Sequence, residues 1–150
     1  MEVRDVAPTL YDVAGILDQV IEIDEGMNGK SLLPILNGSV NKVRDYVDLE
    51  HSIVYDSFIH WNALVDESMK YIYNAKDGSE TLFNLTSDPS ELVDLSSDSD
   101  YDEVRLMWRE RMVMQFHEEG RGIEWVSDDG NLALRGDDKN TVLGVNFPCL

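Results

Sequence analysis

Residues 60–85 constrain the chain most, because their apolar stretches are joined by connections too short for anything but tight turns. A strand over 60–66 and another over 69–74 leave only Glu67 and Ser68 between them, which is the length of a hairpin turn. Asp77-Gly78 is a strong turn signal leading into a further strand over 80–85, and Asp88-Pro89 then breaks the pattern. Strands joined this closely are antiparallel neighbours. Upstream, a period of two begins at Tyr46. Val47, Leu49, His51 and Ile53 share one face, and Tyr46, Asp48, Glu50 and Ser52 share the other.

The period changes again after Ser99 and Asp100, either of which can cap a helix over 100–118. Asp102 and Glu103 suit its N-terminal end. Tyr101, Val104, Trp108, Met112 and Phe116 recur every three or four residues, an apolar stripe made to lie on a sheet. Gly120 marks the stop. The expected fold is therefore α+β, a four-stranded antiparallel sheet packed by one long C-terminal helix, spanning residues 43–119. Residues 1–42 offer a short helix over 5–15, a polar stretch from Asp24 to Lys30 and an apolar turn, Ser31–Leu36, without evident partners of their own. Residues 120–150 read as an irregular tail draped over a larger body.

Composition narrows the function classes. Hydrophobic residues make up 43% of the 150, enough for a core. The net charge of −18 repels phosphate backbones, so nucleic acid is not an expected partner. The sequence has no apolar run near the ~20 residues that span a bilayer. The single cysteine, Cys149, excludes an internal disulfide and leaves the compartment open.

Several short motifs occur in a fixed order. Arg4-Asp5-Val6-Ala7-Pro8-Thr9-Leu10 ends in Ala14-Gly15 and is followed by Gly29-Lys30-Ser31-Leu32-Leu33-Pro34-Ile35-Leu36. Then come Arg44-Asp45-Tyr46-Val47, Glu50-His51, His60-Trp61-Asn62-Ala63-Leu64, Lys70-Tyr71-Ile72 and Leu82-Phe83-Asn84-Leu85, closed by Asp88-Pro89-Ser90-Glu91. Over residues 4–118 this order resembles the C-terminal part of formylglycine-dependent sulfatases, of the bacterial arylsulfatase type. The resemblance implies a C-terminal subdomain, preceded over 1–42 by a helical remnant of an α/β domain like that of alkaline phosphatase. It implies hydrolysis of sulfate esters by a hydrated formylglycine, with calcium stabilising the transferring group. Formylglycine and calcium are expected in an N-terminal part, with no cofactor or metal in this chain. The expected partners are that missing N-terminal domain, its sulfate ester substrate and, through an exposed face, a second copy of the chain.

The nucleophile motif of that family, Cys/Ser-x-Pro-x-Arg, has no full match in the sequence. Cys149 is followed only by Leu150. Ser87-Asp88-Pro89-Ser90-Glu91 imitates it but places Glu91 where an anionic substrate needs a cation. Asp98–Asp102 opens like a calcium loop, yet Glu103 and Arg109 stand where such a loop needs glycine and glutamate, so a helix cap is the better account. The expected reading is a cleft wall and scaffold without a nucleophile, the alternative a non-catalytic binding or self-association module. His51, His60 and Asn62 are the candidate substrate-binding residues. His60 and Asn62 share a strand face and could form a polar patch at a pocket rim, while Trp61 points to the core. Imidazole can bind sulfate oxygens or sugar hydroxyls. A packed structural histidine is the competing account of His51. Lys70 reads as solvated or ion-paired, and Arg135-Gly136-Asp137 as incidental.

Overall fold

The computed structural model describes residues 2–24, 27–51 and 60–135. It divides into two compact units, Met1–Val47 and Asp48–Leu150.

The first unit is short helices held by polar latches. A 3-10 turn, Val3–Asp5, runs into α1 (Val6–Val13), followed by α2 (Leu17–Ile23) and α3 (Leu33–Leu36). Pro8 is buried in the first turn of α1, where it sacrifices no helical hydrogen bond. Asp5 is fully buried and its carboxylate gathers three segments. It accepts from the backbone N–H of Glu2 at 2.8 Å and of Lys30 at 3.0 Å, and from the Arg44 guanidinium. Thr9 works in the same way, donating to the carbonyl of Asp5 at 2.6 Å and accepting from Leu32 N–H at 2.9 Å. The Ser31 hydroxyl donates to Asp12 at 2.5 Å. Gly29 sits so close that a Cβ there would lie 1.9 Å from the Arg4 carbonyl oxygen, so no other residue fits. The motif residues of this unit thus serve the fold.

The second unit carries an antiparallel sheet in sequence order, β1 (Val47–His51), β2 (Trp61–Val65), β3 (Met69–Asn74) and β4 (Glu80–Asn84). The register pairs Asn62 with Tyr73 and Leu64 with Tyr71, then Tyr71 with Leu82 and Tyr73 with Glu80. Both hairpins rest on an aspartate. Asp66 accepts from the N–H groups of Ser68 and Met69 at 2.8 and 2.7 Å. Asp77 accepts from Ser79 N–H at 2.9 Å, next to Gly78 at φ +75°. The proposed strand residues 52 and 53 lie outside the described ones.

Helix α4 (Asp102–Glu118) follows a 3-10 turn, Ser99–Tyr101, whose cap is Asp98 rather than Ser99 or Asp100. Trp108, Met112 and Phe116 from the anticipated stripe are fully buried, and α4 packs on β3. Beside them Glu80 accepts from Tyr71 Oη, from Arg105 Nη1 at 2.6 Å and from Arg109 Nε at 2.6 Å. Burial opposes ionisation of Glu80, but these hydrogen bonds hold its carboxyl below the ordinary value. The described part of the tail, up to Arg135, packs on this unit's own sheet. Tyr73 Oη donates to the carbonyls of Leu132 at 3.1 Å and Ala133 at 3.3 Å, Arg135 N–H donates to Ala75, and Val126, Leu132 and Ala133 are buried.

Two outcomes follow from these latches. Gly29→Ala should lower stability by about 3 kcal/mol or more, since the blocking atoms are backbone, measured by denaturant unfolding. Glu80→Gln takes the carboxylate from Arg109 and one of two from Arg105, and should cost about 1.5–3 kcal/mol at pH 7. A carboxyl depressed in the folded state stabilises above its unfolded value, 4.5, and loses that contribution as pH falls through the folded one. The gap between wild type and Glu80→Gln should therefore close in acid.

Candidate binding site under the tail

Strand β2 sends alternate side chains to opposite faces of the sheet. His60, Asn62 and Leu64 turn toward the side covered by the tail, and all three are buried. Trp61 leaves on the other face and is half-buried rather than core. His51 from β1 stacks on it, ring centroids 5.9 Å apart. Of the three candidate residues, then, His60 and Asn62 come together, while His51 lies with Trp61. Its neighbour Glu50 accepts from Arg121 at 3.3 Å.

Two residues from the tail complete the cluster. Arg135 donates from Nη2 to Asn62 Oδ1 at 2.5 Å, and its guanidinium lies 3.8 Å from the centroid of the Trp125 ring. Trp125 stands edge-on to His60 at 6.2 Å and to Phe116 at 5.2 Å. Arg121 also lies against Trp125, at 4.6 Å, but is tied to Asp48 at 2.5 Å and to Glu119 at 2.6 Å. Arg135 could not be found from the sequence, where it stood only in an accidental-looking Arg-Gly-Asp triplet. The apolar residues near it, Trp125 and Leu132, were the available signal that the tail packs.

The electrostatics are those of a buried corner holding one guanidinium. Burial, then Arg135 and His51, pull the His60 pKa from 6.5 down to about 4, so the ring is neutral at pH 7. Burial also lowers Arg135 to about 10, which leaves it charged. Among the described residues, neither nitrogen of His60, nor Asn62 Nδ2, nor Nε and Nη1 of Arg135 has a hydrogen-bond partner. Buried polar groups are normally satisfied, so this concentration is unusual. A neutral imidazole, an amide and a guanidinium can hold oxygen atoms. They are not a calcium site, which takes oxygen ligands. Among the described residues no three His, Cys, Asp or Glu side chains gather to hold a metal ion, and the carboxylates around Glu80 and Asp5 face arginines instead.

The stretch that imitates the nucleophile motif is a turn. Asp88 accepts from Leu92 and Val93 N–H at 2.7 and 2.8 Å, and Glu91 pairs with Lys70 at 2.7 Å.

Neutral His60 makes stability depend on pH. The unfolded chain takes up a proton near 6.5 and the folded chain only near 4, so the contribution is complete above 6.5 and is lost as pH falls toward 4. Denaturant midpoints at pH 7.5 and 4.5 should differ less in His60→Gln than in wild type. An equal difference would mean that His60 is not buried neutral.

Comparison with known proteins places these features. Residues 1–118 match the family model described as N-sulphoglucosamine sulphohydrolase, C-terminal. An arylsulfatase of Clostridium perfringens is 32% identical over 136 residues, covering 91% of this chain and 26% of its own length. The structure of a 2-O GAG sulfatase superposes with a TM-score of 0.65 at 25% identity, over 78% of this chain and 25% of the other. The phosphonate monoester hydrolase of Agrobacterium radiobacter shares the fold, with a TM-score of 0.59 at 23% identity over 87% of this chain and 28% of its own. The chain thus spans about a quarter of the length of these relatives.

Proposed function

We propose that this chain, which belongs to the N-sulphoglucosamine sulphohydrolase C-terminal family, acts as the cleft wall and stabilising subdomain of a sulfuric ester hydrolase and carries no nucleophile of its own. His60, Asn62 and, from the other face of the sheet, His51 are its substrate-facing residues. The single observation that carries this, for His60 and Asn62, is the concentration of buried, unpartnered hydrogen-bonding groups there and at Arg135. Such groups cost stability unless something occupies them, and the chemistry they can recognise is oxygen-rich, as in a sulfate ester or a sugar. Calcium and formylglycine belong to the N-terminal sulfatase domain. That domain also covers the apolar stripe of α1, where Val6, Leu10 and Val13 are more than half exposed, at 51, 63 and 64%.

A second reading, self-association, is favoured by that same stripe. An exposed row of aliphatic side chains can equally seat a second copy.

The test has two parts. The purified chain, assayed with an aryl sulfate in the presence of calcium, should show no turnover; metal-dependent turnover would overturn the proposal. In an intact enzyme containing this region, His51→Ala and Asn62→Ala should each lower kcat/KM about tenfold, the loss of one hydrogen bond to a charged group. Unchanged kinetics would remove the cleft role. Sedimentation of the isolated chain decides the second reading: a concentration-dependent dimer, abolished by Leu10→Lys, would establish self-association.

A further inference from the structure

The chain has seven arginines and 30 acidic residues, and its arginines are almost all spoken for. Arg4 pairs with Glu2, Arg44 with Glu2 and Asp5, and Arg105 with Glu80 and Asp102. Arg109 pairs with Glu80, Arg111 stands 4.0 Å from Asp66, and Arg121 holds Asp48, Glu50 and Glu119. Among the described residues, Arg135 alone has no carboxylate within ion-pair distance. Yet its Nε and Nη1 are buried, and its one side-chain hydrogen bond goes to a neutral amide. Burial weighs most against its charge, with Arg121 adding to that, while Glu50 and Glu124 favour the charge.

A guanidinium taken out of water without a counter-ion is costly. In a protein with this surplus of carboxylates, evolution had many to offer. Water could satisfy the free N–H groups but would leave the charge unbalanced. The neighbours are selective as well. Arginine donates only, so Asn62 must turn its oxygen to Arg135, and its Nδ2 donors are left for something else. His60 is 7% exposed and neutral, and offers one more N–H. Trp125 lies against the guanidinium, its ring centroid 3.8 Å away.

We infer that Arg135, Asn62 and His60 form an anion site, the seat of one oxyanion, a sulfate or a carboxylate, that serves as the missing counter-ion of Arg135. This deepens the cleft-wall reading and rests on it for the use of His60 and Asn62, but anion binding by the chain alone is measured independently of turnover. The oxyanion is either a free sulfate or a charged group of a larger substrate. The overall negative charge does not forbid it, because salt screens the surface field over about 8 Å at physiological strength while the donors act in contact.

The full chain, isotope-labelled, is titrated with sodium sulfate while chloride keeps the ionic strength constant. The Asn62 side-chain amide and Trp125 indole signals should shift saturably. Arg135→Gln should weaken binding by about tenfold or more. Asn62→Asp places a carboxylate against the guanidinium. It should abolish sulfate binding while leaving the melting temperature equal or higher, and it decides the matter should Arg135→Gln not fold. Acetate in place of sulfate tests the carboxylate. A sulfated monosaccharide binding more tightly than inorganic sulfate assigns the site to a substrate group, and equal binding assigns it to the free ion. Absence of a saturable shift, an equal response to chloride, or unchanged affinity in Asn62→Asp overturns the inference and leaves the cleft role to be judged by kcat/KM.

Discussion

Glu80 is the joint on which the second unit turns. It opens β4, faces the helix, and is almost buried, with its side chain 8% exposed. A carboxylate in that position must be compensated, and three donors do so: Tyr71 from the neighbouring strand and Arg105 and Arg109 from α4. Because the two arginines stand four residues apart, they occupy one side of the helix. Their reach to a single point fixes how α4 is rotated on the sheet. Trp108, Met112 and Phe116 then face inward. The apolar stripe supplies the hydrophobic driving force, and the ion cluster selects one orientation.

The same device recurs wherever this acidic chain needs order. Asp5 collects Arg44 and two backbone N–H groups in the first unit. Arg121 collects Asp48, Glu50 and Glu119 in the second. With far more carboxylates than cations, each arginine becomes a choice among partners, and geometry makes the choice. That is why the exception at Arg135 stands out. A buried guanidinium beside an amide and a neutral imidazole is poor scaffolding and good recognition chemistry. The fold of this chain brings these groups together, and their unmet hydrogen-bonding capacity costs it stability.

The sheet and long helix were legible because their signals are local. A two-residue connection and Asp77-Gly78 leave antiparallel pairing as the outcome, and the spacing of Trp108, Met112 and Phe116 needs only a period. The helix Leu17–Ile23 carries little local signal: it starts two residues after Gly15 and no side chain caps its N-terminus. The faces of β2 were harder still. Alternation puts Trp61 opposite His60 and Asn62, but it does not say which face is inner. Hydrophobicity favoured Trp61, and the structure buries Asn62 because Arg135 arrives to meet its oxygen. The tail was harder to place for a related reason: it reads as draped over a larger body, whereas Val126, Leu132 and Ala133 are buried in this unit and Tyr73 donates to the carbonyls of Leu132 and Ala133.

By itself the sequence determined what short-range physics can determine: where the backbone turns, which segments are strands or helix, and, through motifs in order, which family the chain joins. Tertiary structure alone decided which polar groups meet. Asn62 and Arg135 are 73 residues apart, and Arg121 and Asp48 equally far. No periodicity extends over such distances. A hydrogen bond depends on angles and on the exclusion of water, and both exist only once the sheet, helix and tail have closed on one another.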